Sequence, residues 1–205
     1  FRDELRARGG LLRVREFVMK DAYSFHADEA DFKKEYDQMA KTYTRIFDRL
    51  GLKTVMVAAD NGYIGGDYCH EFIVESEIGE SHYFEAGDYL AHEEIAEFKR
   101  DNKNLKDKKQ PMKQVAAKRG PTMEDGVKLH KLPLWQQIKD LMMVDDKGNF
   151  VLGVIRGDLD INEVKLMHLA KANSLRHATE AEIIKLGSYP GFISPIGLSK
   201  KVKVI

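Results

Sequence analysis

The sequence predicts an α/β protein of the α+β kind: antiparallel strands with helices, followed by a mixed α/β region. Three observations predict it. The opening stretch alternates polar and apolar side chains as two strands joined by a loop. A run with helical spacing from Phe32 to Leu50 then leads into a strand from Thr54 to Ala59. Further on, two near-continuous apolar runs, Ile138–Val144 and Phe150–Ile155, flank a turn and lie among capped helices. With 43% hydrophobic and 32% charged residues, the 205-residue chain has enough apolar material for a core.

The first strand is Phe1–Glu4. A basic loop, Leu5 to Leu12, joins it to a second strand, Arg13 to Tyr23. On the first, Arg2 and Glu4 share a face. On the second, Arg13, Arg15, Phe17, Met19, Asp21 and Tyr23 share a face, and Val14, Val18 and Ala22 form the opposite one, expected to be buried. The charged face does not read as core, because unpaired buried charge is costly. Its chemistry is that of a ligand site. Arginine grips phosphate oxygens in a planar fork. Phenylalanine stacks on a purine, glutamate accepts from an exocyclic amine, and aspartate holds an ammonium. The set suits a nucleotide beside an amino acid; a solvated ribbon with incidental charges is the plainer reading of the pattern.

Helix follows, capped by Ser24 or Asp28 and stopped by Gly51, with Phe32, Tyr36, Met39, Ala40, Tyr43, Phe47 and Leu50 as a core stripe. After the strand to Ala59 comes a glycine-bearing run, Asp60–Asp67, and an alternating strand to Val74. Cys69, His70 and Glu71 sit on that strand. Neighbouring Cys and His point to opposite faces, so no metal ligand set is assigned. A short strand is expected at Tyr83–Phe84 and a helix at Tyr89–Lys99. Between Arg100 and Lys113 the chain is basic and almost without apolar residues, the composition of a linker.

The second half opens near Gln114. Met123–His130 reads as a helix, and the two apolar runs as inner strands covered on both faces, with Asp145–Asn149 as their turn. Asn162–Ala170 and Thr179–Leu186 read as helices capped by Asn162 and by a Thr179/Glu182 capping box. Arg156-Gly157-Asp158 matches an adhesion tripeptide, a match too short to carry function.

Balanced charge, 33 basic against 33 acidic residues, supplies no global field toward nucleic acid or membrane. Any RNA contact must be local. One cysteine, Cys69, allows no internal disulfide, and a reducing cytoplasm is the default. No apolar run nears the roughly 20 residues of a membrane span, and no signal peptide opens the chain. Both ends fall in strand-like runs, Phe1–Glu4 and Val202–Ile205, so a fragment of a longer enzyme is expected.

Phe1-Arg2-x-Glu4, a loop, then Arg13-x-x-x-Phe17-x-x-x-Asp21 resembles motif 2 of class II aminoacyl-tRNA synthetases. The string Arg15-Glu16-Phe17-Val18-Met19-Lys20-Asp21-Ala22-Tyr23-Ser24-Phe25-His26 is similar to bacterial-type prolyl-tRNA synthetases in particular, as is Gly65-Gly66 through His70-Glu71-Phe72. Val154 to Lys165, Leu132 to Lys139 and Gly191 to Pro195 resemble the editing insertion of the same family. The family has a proline and a bulkier residue where this loop reads Arg6-Ala7-Arg8-Gly9-Gly10. It often has threonine where Gln137 stands, and serine where Cys69 stands.

The resemblance implies a partial class II antiparallel sheet in residues 1–100, a linker at 101–113 and an editing insertion domain from 114 to 205. It implies ATP contacts by Arg2, Glu4, Arg13 and Phe17, with Arg2 catalytic at the α-phosphate. Asp21, Tyr23 and Glu71 would bind proline. Lys139, Gln137, Gly191 and Pro195 would serve editing, with Lys139 its functional lysine. Substrates and partners would be ATP with Mg2+, proline and tRNA(Pro), in a cytoplasmic, homodimeric parent without membrane contact. Two rivals stand beside it: a freestanding aminoacyl-tRNA deacylase and a non-catalytic synthetase-like tRNA-binding protein.

Overall fold

A computed structural model describes residues 1–62, 65–66, 68–101, 108–118, 120–198 and 201–205. Tyr63, Ile64 and Asp67 of the glycine-bearing run and residues 102–107 of the expected linker lie outside the described residues. Two compact units are present, Phe1–Thr54 and Val55–Ile205.

In the first unit the chain before His26 is extended but forms no regular strand. Its backbone pairing is an isolated bridge between Arg8 and Arg13 and a bond from Arg2 N to Arg15 O of 2.9 Å. This corrects the expected strand pair. A two-stranded ribbon alone is marginal in water, and no described strand offers a ladder to Glu16–Tyr23. The expected apolar face fails with it: Val14 is half-buried, whereas Val18 is 99% exposed and Ala22 is exposed. At the loop tip Gly9 and Gly10 hold φ of +67° and +64°, a conformation open to glycine and closed to proline.

The helix α1 runs Glu29–Arg49. Asp28 is its cap, accepting from Asp31 N at 2.9 Å, and Gly51 follows it at φ +75°. Phe32, Tyr36, Met39, Ala40, Tyr43 and Phe47 line one face as the spacing requires. All are only half-buried, Leu50 is exposed, and no residue of α1 is buried. The stripe is therefore not a closed core. A unit this small has too little chain to cover one.

The second unit holds two four-stranded sheets. The first contains β1 (Val55–Ala58), β2 (His70–Ile73), β3 (Tyr83–Ala86) and β4 (Tyr89–His92), in the order β2-β1-β4-β3. β4 replaces the helix expected at Tyr89–Lys99. Gly87 at φ +62° and Asp88 form a two-residue turn, Ala86 pairs with Tyr89, and the chain folds back as a hairpin. The Gly-Asp signal was stronger than the weak helical spacing after it; only one turn, where Ala96 N donates to His92 O, is helical.

The second sheet has the order β7-β5-β6-β8, from β5 (Ile138–Asp145), β6 (Phe150–Arg156), β7 (Leu175–His177) and β8 (Lys203–Val204). Before it stand α2 (Met123–His130) and a 3-10 turn, Leu134–Gln136; between its strands stand α3 (Glu163–Ala170) and α4 (Glu180–Lys185). Thr122 and Asp125 close a capping box on α2, and Thr179 and Glu182 close one on α4. Asn162 caps α3.

β5 and β6 are inner strands covered on both faces, as their apolar runs predict. On one face Met142, Leu152, Ile183 and Val202 are buried, with Val154, Leu186, Ile193 and Leu198 packed against them. On the other, Met143, Val151 and Leu166 are buried, joined by Leu141, Ile161 and Ile205. Burial of each such side chain contributes about 1.5–3 kcal/mol. Polar ties join this sheet to the chain after β4: Asn162 Nδ2 donates to Glu93 O at 3.0 Å, and Arg156 Nη1 pairs with Asp101 Oδ1 at 2.5 Å.

Candidate functional site

Within the first unit Arg2 meets Phe17 and Glu4 meets Arg13. Arg13 Nη1 donates to Glu4 Oε2 at 2.7 Å, and Arg6 N donates to Glu4 Oε1 at 2.7 Å. Arg15 Nε donates to Glu4 O at 2.9 Å. The bond from Arg6 N, then the Arg13 guanidinium, hold the Glu4 carboxyl below the usual glutamate range. Glu4 is thus kept ionised, and each oxygen retains acceptor capacity for a ligand N–H. Arg2 lays its guanidinium over the Phe17 ring, 5.1 Å from the centroid. A cation and an aromatic surface are thereby set side by side, and Phe17 is still 39% exposed.

Asp21 and Tyr23 follow on the same extended stretch and are exposed, Tyr23 by 83%. Glu71 lies in the second unit on β2, where it pairs with Val57 and is exposed. Lys20 is anchored instead: its Nζ donates to the Tyr43 hydroxyl at 2.7 Å.

A further arrangement was not among the residues the sequence singled out. His26 Nε2 lies 2.7 Å from Ser24 Oγ, and its Nδ1 lies 3.0 Å from Asp31 Oδ2. His26 also meets the Phe32 ring edge-on at 5.7 Å. These contacts lock the end of the extended stretch onto the first turn of α1. The signal was present in sequence: Asp31 and Phe32 are helix positions just past the Asp28 cap, within reach of a residue two before it.

In the second sheet Lys139 lies on the α3 face, two residues from Leu141. Its Nζ donates to Leu159 O at 2.9 Å and pairs with Asp160 Oδ1 at 2.7 Å. Gln137 is held at the strand mouth: its Nε2 donates to Leu132 O at 2.9 Å and its carbonyl accepts from Gly157 N at 2.8 Å. Its Oε1 fills the space where a Cβ on Gly126 of α2 would stand. Gly191, at φ +78°, passes so close to Pro121 that a Cβ would come 2.6 Å from the proline Cβ.

Gln137 and Gly191 therefore both abut α2 and the residues before it. Ile193, within the loop from Gly191 to Pro195, packs on the side of the sheet opposite Lys139. That opposite side carries Asp140, whose Oδ1 is sealed from solvent without a hydrogen-bond partner. Burial pushes the Asp140 carboxyl up to about 6.

Arg156-Gly157-Asp158 is a structural tie. Arg156 Nε grips Asp158 Oδ1 at 2.5 Å, and a Cβ on Gly157 would strike Leu134 O at 2.7 Å. Among the described residues no group of three or more His, Cys, Asp or Glu side chains is arranged to hold a metal ion, and no helix is long and apolar enough to cross a membrane.

Comparison with known proteins gives two family matches. The aminoacyl-tRNA editing domain matches residues 117–205, which contain the β5–β6 sheet. The tRNA synthetase class II core domain (G, H, P, S and T) matches residues 1–146. Among curated proteins, the proline–tRNA ligase of Methylobacillus flagellatus is 43% identical over 212 residues, covering 100% of this chain and 37% of that protein. That of Thermotoga maritima is 42% identical, covering 98% of this chain and 35% of that protein. The chain thus spans little more than a third of the length of these relatives. The pairing of Arg2 with Phe17 and of Glu4 with Arg13 falls where the synthetase core is matched, and that match extends over more than half of the sequence: the chain belongs to the class II tRNA synthetase core domain family.

Proposed function

We propose that these residues are part of a bacterial-type proline–tRNA ligase, activating proline with ATP and editing mischarged alanyl-tRNA(Pro). The observation that carries the reading is the Arg2–Phe17 and Glu4–Arg13 cluster, within a chain 43% identical along its whole length to a proline–tRNA ligase. In this reading residues 1–100 belong to the catalytic domain, 101–113 link, and 114–205 form the editing insertion.

The proline carboxylate attacks the α-phosphate of ATP in line and pyrophosphate leaves. Arg2 stabilises the charge that develops on the α-phosphate. Phe17 stacks on adenine, and Glu4, kept ionised by its neighbours, accepts from the adenine amine. Asp21, Tyr23 and Glu71 are the candidates for holding proline; Mg2+ bound with the ATP would neutralise phosphate charge. The prolyl group then passes to the tRNA 3′ end.

In the editing half Lys139 acts as a point charge for the tRNA backbone at the mouth of β5, while Gln137, Gly191 and Pro195 shape the approach. Water is the nucleophile for the alanyl ester, and size excludes proline, because apolar pockets discriminate small side chains only weakly by binding. The protein is cytoplasmic and homodimeric in this reading. The test is proline-dependent pyrophosphate exchange together with alanyl-tRNA(Pro) hydrolysis by the full-length protein. Lys139→Ala should lose hydrolysis and keep exchange near wild type. A protein that exchanges no pyrophosphate with proline, or a variant that loses both activities together, would overturn the reading.

A further inference from the structure

Lys139 meets a turn that the proposed function leaves unused, Arg156 to Asp160 at the end of β6. The turn is firmly built. Arg156 forks both oxygens of Asp158, Nε to Oδ1 at 2.5 Å and Nη2 to Oδ2 at 3.1 Å, and Leu159 N donates to Arg156 O at 2.9 Å. Gly157 N ties the turn to Gln137 O at 2.8 Å. A Cβ on Gly157 would come 2.6 Å from Met123 Cε and 2.7 Å from Leu134 O, so this approach requires glycine.

The turn offers the Lys139 ammonium two partners of different kinds. Leu159 O accepts from Nζ at 2.9 Å in a partly buried contact. Asp160 Oδ1 accepts at 2.7 Å from a side chain that is 96% exposed. The carbonyl is fixed by the turn. The exposed ion pair is weak and screened by salt. Breaking it returns Asp160 to water and strands no buried charge. Lys139 itself is 33% exposed, so an incoming anion can reach its ammonium.

We propose that Asp160 is a positioning residue of editing, a displaceable counter-ion that holds Lys139 until a phosphodiester oxygen of the tRNA acceptor end takes its place. Leu159 O keeps the ammonium in position through the exchange. This rests on the editing reading above, in which Lys139 meets the tRNA backbone. Arg156, Gly157 and Asp158 are then the frame that presents Leu159 and Asp160 to the lysine.

Full-length protein would be assayed for alanyl-tRNA(Pro) hydrolysis. Asp160→Asn removes the competing charge and should lower KM about two- to fivefold, the worth of one exposed ion pair, with kcat within about twofold of wild type. Asp160→Glu keeps the charge and should stay near wild type. The KM ratio of wild type to Asp160→Asn should shrink toward one as salt is raised. An unchanged or higher KM in Asp160→Asn overturns the proposal, as does an Asp160→Glu variant that follows it. A fall in kcat marks a merely structural support and overturns it too. Each of these leaves the editing reading standing while Lys139→Ala still abolishes hydrolysis. If Lys139→Ala hydrolyses as wild type does, or wild type hydrolyses nothing, the editing reading falls and the proposal with it.

Discussion

Two extended stretches of this chain, Arg13–Tyr23 and Ile138–Arg156, meet opposite fates. The second becomes two inner strands whose side chains close a core on each face, with Met143 and Leu152 wholly buried. Among the described residues the first pairs at two backbone points and leaves Val18 and Tyr23 exposed. Its contacts run instead between charged and aromatic side chains: Glu4 with Arg13, Arg2 with Phe17. Apolar content on both faces of a strand specifies neighbours in the same chain. Alternating charge and aromatic is the pattern on which the proposed ligand site rests, and there the backbone is held by its side chains rather than by a ladder.

The largest expected effect tests the ligand side of that contrast. In the full-length protein, Arg2→Ala should lower proline-dependent pyrophosphate exchange a few hundredfold, ~3–4 kcal/mol of transition-state stabilisation. Arg8→Ala, beside the glycine turn, should leave exchange without tRNA within a few-fold of wild type, since exposed charge is screened. Equal losses would place both arginines in the same structural role and remove the distinction.

The folding side is tested by a pair of truncations. Leu152→Ala, in a site with no exposure, should cost about 3 kcal/mol by transfer and cavity terms together. Val18→Ala, at 99% exposure, should stay within about 0.5 kcal/mol. Urea denaturation of both variants reads the difference directly. A Val18→Ala cost comparable to that of Leu152→Ala would mean that the Arg13–Tyr23 stretch is as firmly built as the sheet.

The same contrast explains what the sequence made legible. In the second sheet the inner strands, their turn, and the Thr179/Glu182 and Asn162 caps were all readable, because burial and capping are local patterns. Near Arg2 the motif named candidate residues, and the strands expected around them did not form, since a strand also needs a partner that pattern does not supply. Tyr89–His92 was misread because a two-residue Gly-Asp turn outranks a weak helical period. Asp140 gave no sign at all. Its meaning depends on which face of the sheet it takes and on what covers that face.

A smaller effect probes the helix caps of the sheet region. Thr179→Ala removes the acceptor for Glu182 N and one partner of the Glu182 carboxylate, and should cost about 1 kcal/mol. Thermal melts at neutral pH would show it, and a change as large as that of Leu152→Ala would contradict a purely local role.

The last and smallest effects are in pH dependence, where Glu182 and Asp140 pull in opposite directions. Arg176 grips both Glu182 oxygens, at 2.9 and 2.7 Å, and Thr179 N adds a third bond. The Arg176 hydrogen bonds, then the Thr179 backbone, hold the Glu182 carboxyl down to about 2 from 4.5. Folding therefore favours its ionised form: the contribution is complete above pH 4.5 and fades as pH falls toward 2. Asp140 is raised by burial from 3.8 to about 6, so folding favours its protonated form. Its penalty is absent below 3.8 and complete above about 6. Between pH 4.5 and 6 Glu182 is silent and Asp140 alone changes. Stability measured against pH in that window should carry a component that rises on acidification in wild type and is missing in Asp140→Asn. Below 4.5, Glu182→Gln should flatten the acid loss that wild type and Asp140→Asn share. If Asp140→Asn keeps the rise between pH 6 and 4.5 intact, the Asp140 carboxylate is solvated, and the opposite faces of β5 differ less than its buried Oδ1 implies.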